Sequence, residues 1–142
     1  MRRDDGIGWI VLDILQANPE PDTQYRRLHQ LMPELAADLA KVDQVVFVDA
    51  SVVGAPGTVS VQPVSAATQR DAHFTHYVSP GELLALAGAV YSSAPAGTLI
   101  TVTGEDFNFG EELSEIVAAR VGEVVAQVRT IVREKDQVLA SG

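Results

Sequence analysis

The side chains that could do chemistry in this sequence are carboxylates and histidines beside predicted strands and helices. Asp49 follows the most hydrophobic run of the chain, and Asp4 and Asp5 stand just before a predicted helix. His73 and His76, three residues apart, precede a second predicted helix. If these segments converge, two carboxylates and one imidazole form a three-ligand set open to a fourth group. Such a set suits a divalent ion such as Ni²⁺ or Zn²⁺.

Each of these residues also has an ordinary structural interpretation. Asp49 could pair with an arginine or cap a loop, although an unpaired buried carboxylate is costly. Asp4 and Asp5 could cap free helix amides and favour the positive end of the helix dipole. A lone histidine is more often structural than a ligand, and no nucleophile elbow or zinc-protease helix is present in the sequence. Only the combination favours a site.

Composition narrows the class of protein. The 142 residues include no cysteine, which excludes disulfides and thiolate chemistry. A net charge of −9 argues against a nucleic-acid partner. No signal peptide follows Met1, and the apolar runs are too short to span a membrane. We therefore expect one domain over residues 1–142, cytoplasmic and without a membrane partner.

Hydrophobic periodicity predicts helices and strands that alternate. We expect helices over residues 7–15, 33–40, 79–91 and 113–132, and strands over residues 25–28, 45–48, 58–62 and 98–102. Ser79, Pro80 and Glu82 form a compact helix start with a capping box. The continuous run 45–48 is typical of a central strand, and the alternating run 58–62 of a strand nearer an edge.

This alternation predicts an α/β fold: a three-layer, open, mostly parallel sheet with helices on both faces, like flavodoxin or phosphorylase. Such folds usually open with a strand, whereas this chain begins almost directly at a helix. We therefore expect the first strand of the fold to be missing. Open strand edges would then favour self-association.

Four ordered segments resemble a known family. Residues 4–8 (Asp-Asp-Gly-Ile-Gly), 45–50 (ending in Asp-Ala), 55–59 (Ala-Pro-Gly-Thr-Val) and His76 with the apolar run 83–87 resemble motifs of the hydrogenase maturation proteases. Residues 29–35 and 108–111 resemble the branch that serves the NAD(P)-coupled bidirectional hydrogenases of cyanobacteria. The family's Gly-x-Gly-Asn loop is missing, and its Asp-Gly-Gly-Thr stretch is replaced by Leu-His-Gln-Leu at residues 28–31.

The resemblance implies an aspartyl-type endopeptidase that removes the C-terminal extension of a nickel-loaded nickel–iron hydrogenase large-subunit precursor. The nickel is carried by the substrate, and the protein needs no cofactor of its own. Either the nickel polarises the scissile carbonyl or a carboxylate activates water. The implied residues are Asp5 and Asp49 for catalysis, Asp5, Asp49 and His76 for nickel contact, and Asp4, Asp38 and His29 for substrate binding or orientation.

Two other functions remain open at this stage. A non-catalytic, chaperone-like module could bind the metallated precursor without cutting it. An unrelated small-ligand-binding domain is the third possibility. The protease interpretation requires Asp5, Asp49 and His76 to converge around one cleft.

Overall fold

The computed structural model of the chain describes residues 3–66, 78–108, 110 and 112–141, and of residues 135–141 it describes the backbone alone. Contacts divide the chain into two compact units. The first consists of Met1–Arg27, Asp49–Val59 and Thr101–Gly142, and the second of Leu28–Val48 and Ser60–Ile100. The single domain over residues 1–142 stays a prediction.

The strands of the structure form one three-stranded sheet. They are β1 (Gln44–Ser51), β2 (Val59–Val64) and β3 (Ala96–Thr103), in the order β1-β3-β2. The edge position predicted for the strand at residues 58–62 is confirmed. The prediction of β1 as the central strand is wrong for this sheet, because β3 lies in the middle. Accordingly, β3 carries the fully buried Ile100 and Val102, whereas every residue of β1 keeps some exposure.

Hydrogen bonds at the strand ends fix the direction of β1 relative to β3. At the beginning of the pair the Ala96 N–H donates to the carbonyl of Asp43, and at its other end the N–H of Gly104, directly after β3, donates to the carbonyl of Ser51, the last residue of β1. The two strands therefore run parallel.

Strand β2 runs the opposite way. The Thr103 N–H, at the end of β3, donates to the carbonyl of Thr58, which directly precedes β2. At the other end of the pair, Gly97 of β3 lies against Val64. The sheet therefore has one parallel and one antiparallel pair of strands, so it is mixed rather than mostly parallel as predicted, and the α/β class is confirmed.

In the first unit, a 3-10 turn (Arg3–Gly6) leads into helix α1 (Ile7–Ala17), which packs against helix α5 (Val121–Ser141). The side chains of Ile7, Val11 and Leu15, four residues apart on one face of α1, are almost fully buried. The long helix predicted over residues 113–132 is wrong in one respect. The structure has a short helix α4 (Glu115–Ala118) and a turn before α5 begins.

In the second unit, helix α2 (Leu35–Leu39) packs against helix α3 (Pro80–Tyr91). Ala36, Leu83 and Ala87 form the centre of this apolar cluster. The capping box predicted for α3 is confirmed, because the Glu82 N–H donates to Ser79 Oγ and the Ser79 N–H donates to Glu82 Oε1.

The strand predicted over residues 25–28 is wrong, because this segment is irregular in the structure. Local β propensity is insufficient there without a neighbouring strand to pair with. No helix within the described ranges is long and apolar enough to cross a membrane.

Candidate catalytic site

The structure brings Asp5 and Asp49 together in the first unit. Asp5 lies in the 3-10 turn before α1, and Asp49 lies near the C-terminal end of β1, two residues before its last residue. Both residues are exposed. The negative charge of Asp5 is close enough to contribute to a raised pKa of the Asp49 carboxyl. Asp5 and Asp49 are therefore close enough for their charges to interact, while the predicted convergence of Asp5, Asp49 and His76 around one cleft stays a prediction.

The electrostatic surroundings of Asp49 favour its protonated form. Desolvation by the surrounding protein is the largest cause of its raised pKa, and repulsion by Asp5 acts in the same direction. The Ala50 N–H, which donates to Asp49 Oδ1 at 2.8 Å, opposes both effects. The surrounding protein therefore partly desolvates the carboxyl group. The residue is nevertheless exposed, so the carboxyl remains reachable from solvent.

Asp4, the neighbour of Asp5, has a different environment. It is completely buried, at 0% exposure. Its Oδ2 accepts hydrogen bonds from the N–H groups of Glu105 and Asp106 and from Ser114 Oγ, at 2.7–2.8 Å, and its Oδ1 accepts one from the Ser114 N–H at 2.8 Å. Desolvation raises the pKa of Asp4, but these bonds together outweigh it and leave the pKa below its usual value. These hydrogen bonds hold the Asp4 carboxylate against other residues of the protein, and it does not face solvent.

Arg3 strengthens the same connection. Its Nε donates to the carbonyl of Glu112 at 2.7 Å, Nη2 donates to that of Leu113 at 3.3 Å, and Nη1 pairs with Asp106. The backbone N–H groups of Arg3 and Asp4 donate to carbonyls of the same segment. Residues 3 and 4 thereby attach the 3-10 turn to the segment 104–114, which follows the C-terminal end of β3.

The turn that follows β1 is also held firmly. The Gly57 N–H donates to the carbonyl of Thr103 at 2.7 Å, and Arg120 Nε donates to the carbonyl of Gly57 at 3.0 Å. Gly57 has φ +82°, and a Cβ there would lie 2.7 Å from Ile116 Cγ1. Both the backbone conformation and the space therefore require glycine at this position.

The other predicted site residues lie in the second unit or outside the described residues. His29 is exposed in an irregular segment of the second unit, and Asp38 is half-buried in α2 of the same unit. His76 lies outside the described residues. Within the described ranges, no group of three or more His, Asp or Glu side chains is arranged to hold a metal ion. The three-ligand set of Asp5, Asp49 and His76 therefore stays a prediction.

Sequence reasoning missed Arg3 and Ser114. Ser114 directly precedes α4 and could have been recognised as a helix N-cap, but the helix predicted over residues 113–132 places it in the first turn. Its partner Asp4 is 110 positions away in the sequence. No local pattern signals a hydrogen bond over that separation.

The paired carboxylates can perform two kinds of chemistry. Together they can contact a divalent cation, because carboxylate oxygens are suitable ligands for such ions. Alternatively, a carboxylate with a raised pKa can act as a general base that takes a proton from water. Both roles require access to solvent, which Asp5 and Asp49 have and Asp4 lacks.

Comparison with known proteins gives matches among solved structures. No protein-family profile matches the chain, and no curated protein matches it at a significant level. The fold is similar to that of the hydrogenase maturating endopeptidase HybD from E. coli, with 25% identity and a TM-score of 0.72 over 94% of this chain and 86% of that one.

Two archaeal structures agree with that match. HycI, a nickel–iron hydrogenase maturation protease from Thermococcus kodakarensis, is 24% identical, with a TM-score of 0.72 over 93% of this chain and 85% of that one. A hydrogenase 2 maturation peptidase from Thaumarchaeota archaeon SCGC_AB-539-E09 is 24% identical, with a TM-score of 0.65 over 92% and 90%. The resemblance indicated by the sequence motifs is thus confirmed, and the chain has the fold of the hydrogenase maturation proteases.

Proposed function

We propose that the chain is a processing endopeptidase that removes the C-terminal extension of a nickel–iron hydrogenase large-subunit precursor. The observation that carries this function is the pairing of Asp5 and Asp49 on the fold of the hydrogenase maturation proteases. The motifs at residues 4–8, 45–50 and 55–59 lie in the first unit or run into it. They therefore converge on the part of the fold that carries the two carboxylates.

The proposed substrate is the precursor with nickel already bound. Asp5, Asp49 and His76 contact that nickel, and the contact places the scissile bond beside the two carboxylates. His29 and Asp38 also contact the precursor. The exposure of Asp5, Asp49 and His29 supports these roles, because each side chain is reachable by a macromolecular substrate.

Hydrolysis then follows one of two routes. In the first, an Asp49 or Asp5 carboxylate takes a proton from water while the water oxygen attacks the scissile carbonyl carbon, and the proton passes to the leaving nitrogen as the C–N bond breaks. In the second, the nickel held by the substrate would polarise the carbonyl for attack by water, whose proton passes to the leaving nitrogen as the C–N bond breaks, and the carboxylates would hold the metal in place. The raised pKa of Asp49 supports the first route, because it makes the carboxylate a stronger base.

Finer features belong to the same proposal. The enzyme acts in the cytoplasm, carries no cofactor of its own and serves the cyanobacterial type of bidirectional hydrogenase. The helices cover both faces of the sheet, as in a three-layer fold. Among the described residues no strand pairs with the outer edge of β1, and this open edge supports self-association.

Cleavage of a nickel-loaded precursor tests the proposed function. The wild-type chain, Asp49→Asn and Asp13→Asn are each incubated with the precursor, and loss of the tail is followed by mass spectrometry. Asp13→Asn is the matched control, because it makes the same chemical change at an exposed residue of α1 in the same unit. The expected result is cleavage by the wild type and the control, and none by Asp49→Asn.

Other outcomes would change the proposal. Cleavage by Asp49→Asn at the wild-type rate would remove Asp49 from the site. A folded wild-type chain that binds the precursor without cutting it would favour the chaperone-like function instead. A chain that neither binds nor cuts would leave the shared fold without this function.

A further inference from the structure

We propose that Asp4 and Ser114 are positioning residues of this site, which hold the 3-10 turn so that Asp5 is directed toward Asp49. This inference rests on the proposed function and deepens it. It assigns different roles to Asp4 and Asp5, which are adjacent in sequence. Asp5 meets the substrate, and Asp4 acts through the turn that both residues share.

The first observation is the number of donors gathered by one buried carboxylate. Three backbone N–H groups and one hydroxyl from the segment 104–114 converge on Asp4 at 2.7–2.8 Å. Charge-assisted hydrogen bonds of this length are strong and directional. No buried side-chain nitrogen or oxygen within the described ranges lacks a hydrogen-bond partner. The carboxylate therefore has one defined position.

The second observation is the use made of Ser114. Ser114 stands at the N-cap of α4 with the extended backbone typical of a cap, yet its side chain makes no capping bond. Its hydroxyl donates instead to Asp4 Oδ2 at 2.8 Å. A serine at this position usually stabilises its own helix. Here the hydroxyl is directed to the 3-10 turn instead, and the same residue's N–H binds the other carboxylate oxygen.

The third observation is the close approach of the backbone at Gly104 to Asp4. Gly104 has no side chain, and a Cβ there would overlap Phe107 Cζ and lie 3.0 Å from Asp4 Cβ. The backbone directly after β3 thus approaches Asp4 closely. Since the parallel strands β1 and β3 end side by side and Asp49 lies near the end of β1, Asp4 joins the turn that carries Asp5 to the sheet end that carries Asp49.

Asp5 requires such a restraint because it is exposed and lies in a four-residue turn. A displacement of about 1 Å in a positioning element can reduce a rate by about 100-fold. A substitution that frees the turn would therefore slow the reaction although Asp5 and Asp49 are both retained.

The test compares two buried serines. Ser114→Ala removes the hydroxyl that binds Asp4, and Ser79→Ala removes the N-cap hydroxyl of α3, in the other unit. The two residues are equally buried, at 4% and 3% exposure. Single-turnover cleavage of the nickel-loaded precursor is measured at a temperature where both variants are fully folded. We expect Ser114→Ala to cut about 10- to 100-fold more slowly than the wild type, whereas Ser79→Ala stays within about twofold.

A double-mutant cycle and a crystal structure complete the test. A cycle of Asp4→Asn and Ser114→Ala leaves Asp5 in place, so every variant has a rate that can be measured. If Asp4 and Ser114 hold the turn as one unit, the double variant cuts no more slowly than Asp4→Asn alone, because coupled residues are not additive. Equal rates for the two serine variants, or additive losses, would overturn the proposal while leaving the protease function intact. If the wild type does not cut, the proposed function fails. A Ser114→Ala structure then decides positioning alone: a displaced Asp5 carboxylate supports it, and an unmoved one overturns it.

Discussion

The buried Asp4 carboxylate makes a strong prediction about folding stability. In Asp4→Asn, asparagine keeps one acceptor oxygen and replaces the other by an NH₂ group. The less unfavourable orientation keeps the oxygen at the Oδ2 position, where three donors converge, and places the NH₂ group against the Ser114 N–H. One hydrogen bond is lost, two buried donors face each other, and the remaining bonds lose their charge assistance.

These changes set the expected magnitude. A lost hydrogen bond to a charged group costs about 1.5–3 kcal/mol, and an unpaired buried donor costs about 1–3 kcal/mol. We therefore expect Asp4→Asn to lower the free energy of unfolding by about 3–5 kcal/mol. That is a large part of the roughly 5–15 kcal/mol typical of a folded domain. At about 2–4 °C per kcal/mol for somewhat larger chains, it lowers Tm by roughly 10 °C.

Urea denaturation at pH 7, followed by circular dichroism, measures this loss. Asp13→Asn is again the control, because Asp13 pairs with Arg27 on the surface. Exposed ion pairs contribute at most about 1 kcal/mol. The reasoning is refuted if Asp4→Asn loses no more stability than Asp13→Asn, since four internal hydrogen bonds would then be worth no more than one surface pair.

Two further predictions concern folding stability: one compares substitutions of Gly57 and Gly88, and the other concerns the pH dependence of the contribution of Glu20. Gly57→Ala should destabilise the fold by about 1–2 kcal/mol for its left-handed backbone alone, and by more because Ile116 must move. Gly88→Ala, in a helix with open space around it, should stabilise by up to about 1 kcal/mol; equal thermal shifts for the two variants would contradict this. Glu20 has a lowered pKa, chiefly because of its hydrogen bond from Arg133, so its stabilising effect is present above its unfolded pKa and is lost as pH falls through the folded pKa. Melting curves of Glu20→Gln should therefore differ most from wild type near pH 7 and converge with it in acid, and a constant difference across pH would contradict that cause.

The features that could be predicted from sequence depend on local patterns. The capping box at Ser79 and Glu82 needs only residues three apart, and the structure contains it. The hydrophobic run before Asp49 identifies a strand and a carboxylate near its end, which is where sites of open α/β sheets form. Both predictions use information within about ten residues of the chain.

The features that could not be predicted depend on distant pairing. Hydrophobicity alone does not determine strand order, so the sequence predicts β1 at the centre, where the structure has β3. Asp4 and Asp5 have identical side chains and adjacent positions, yet one is buried and the other exposed. The difference arises from donors more than 100 residues further along, and a single sequence contains no sign of that contact.

The most direct test of the central claim compares two forms of the same hydrogenase precursor, one loaded with nickel and one free of it. Each is incubated with the wild-type chain, with Asp5→Asn and with Asp49→Asn, and the mass of the large subunit is followed over time. The paired carboxylates predict that the wild type removes the tail from the loaded precursor alone, and that either substitution abolishes this cleavage. Equal trimming of both precursors, or undiminished trimming by either variant, would contradict the claim that Asp5 and Asp49 act on a substrate identified by its nickel.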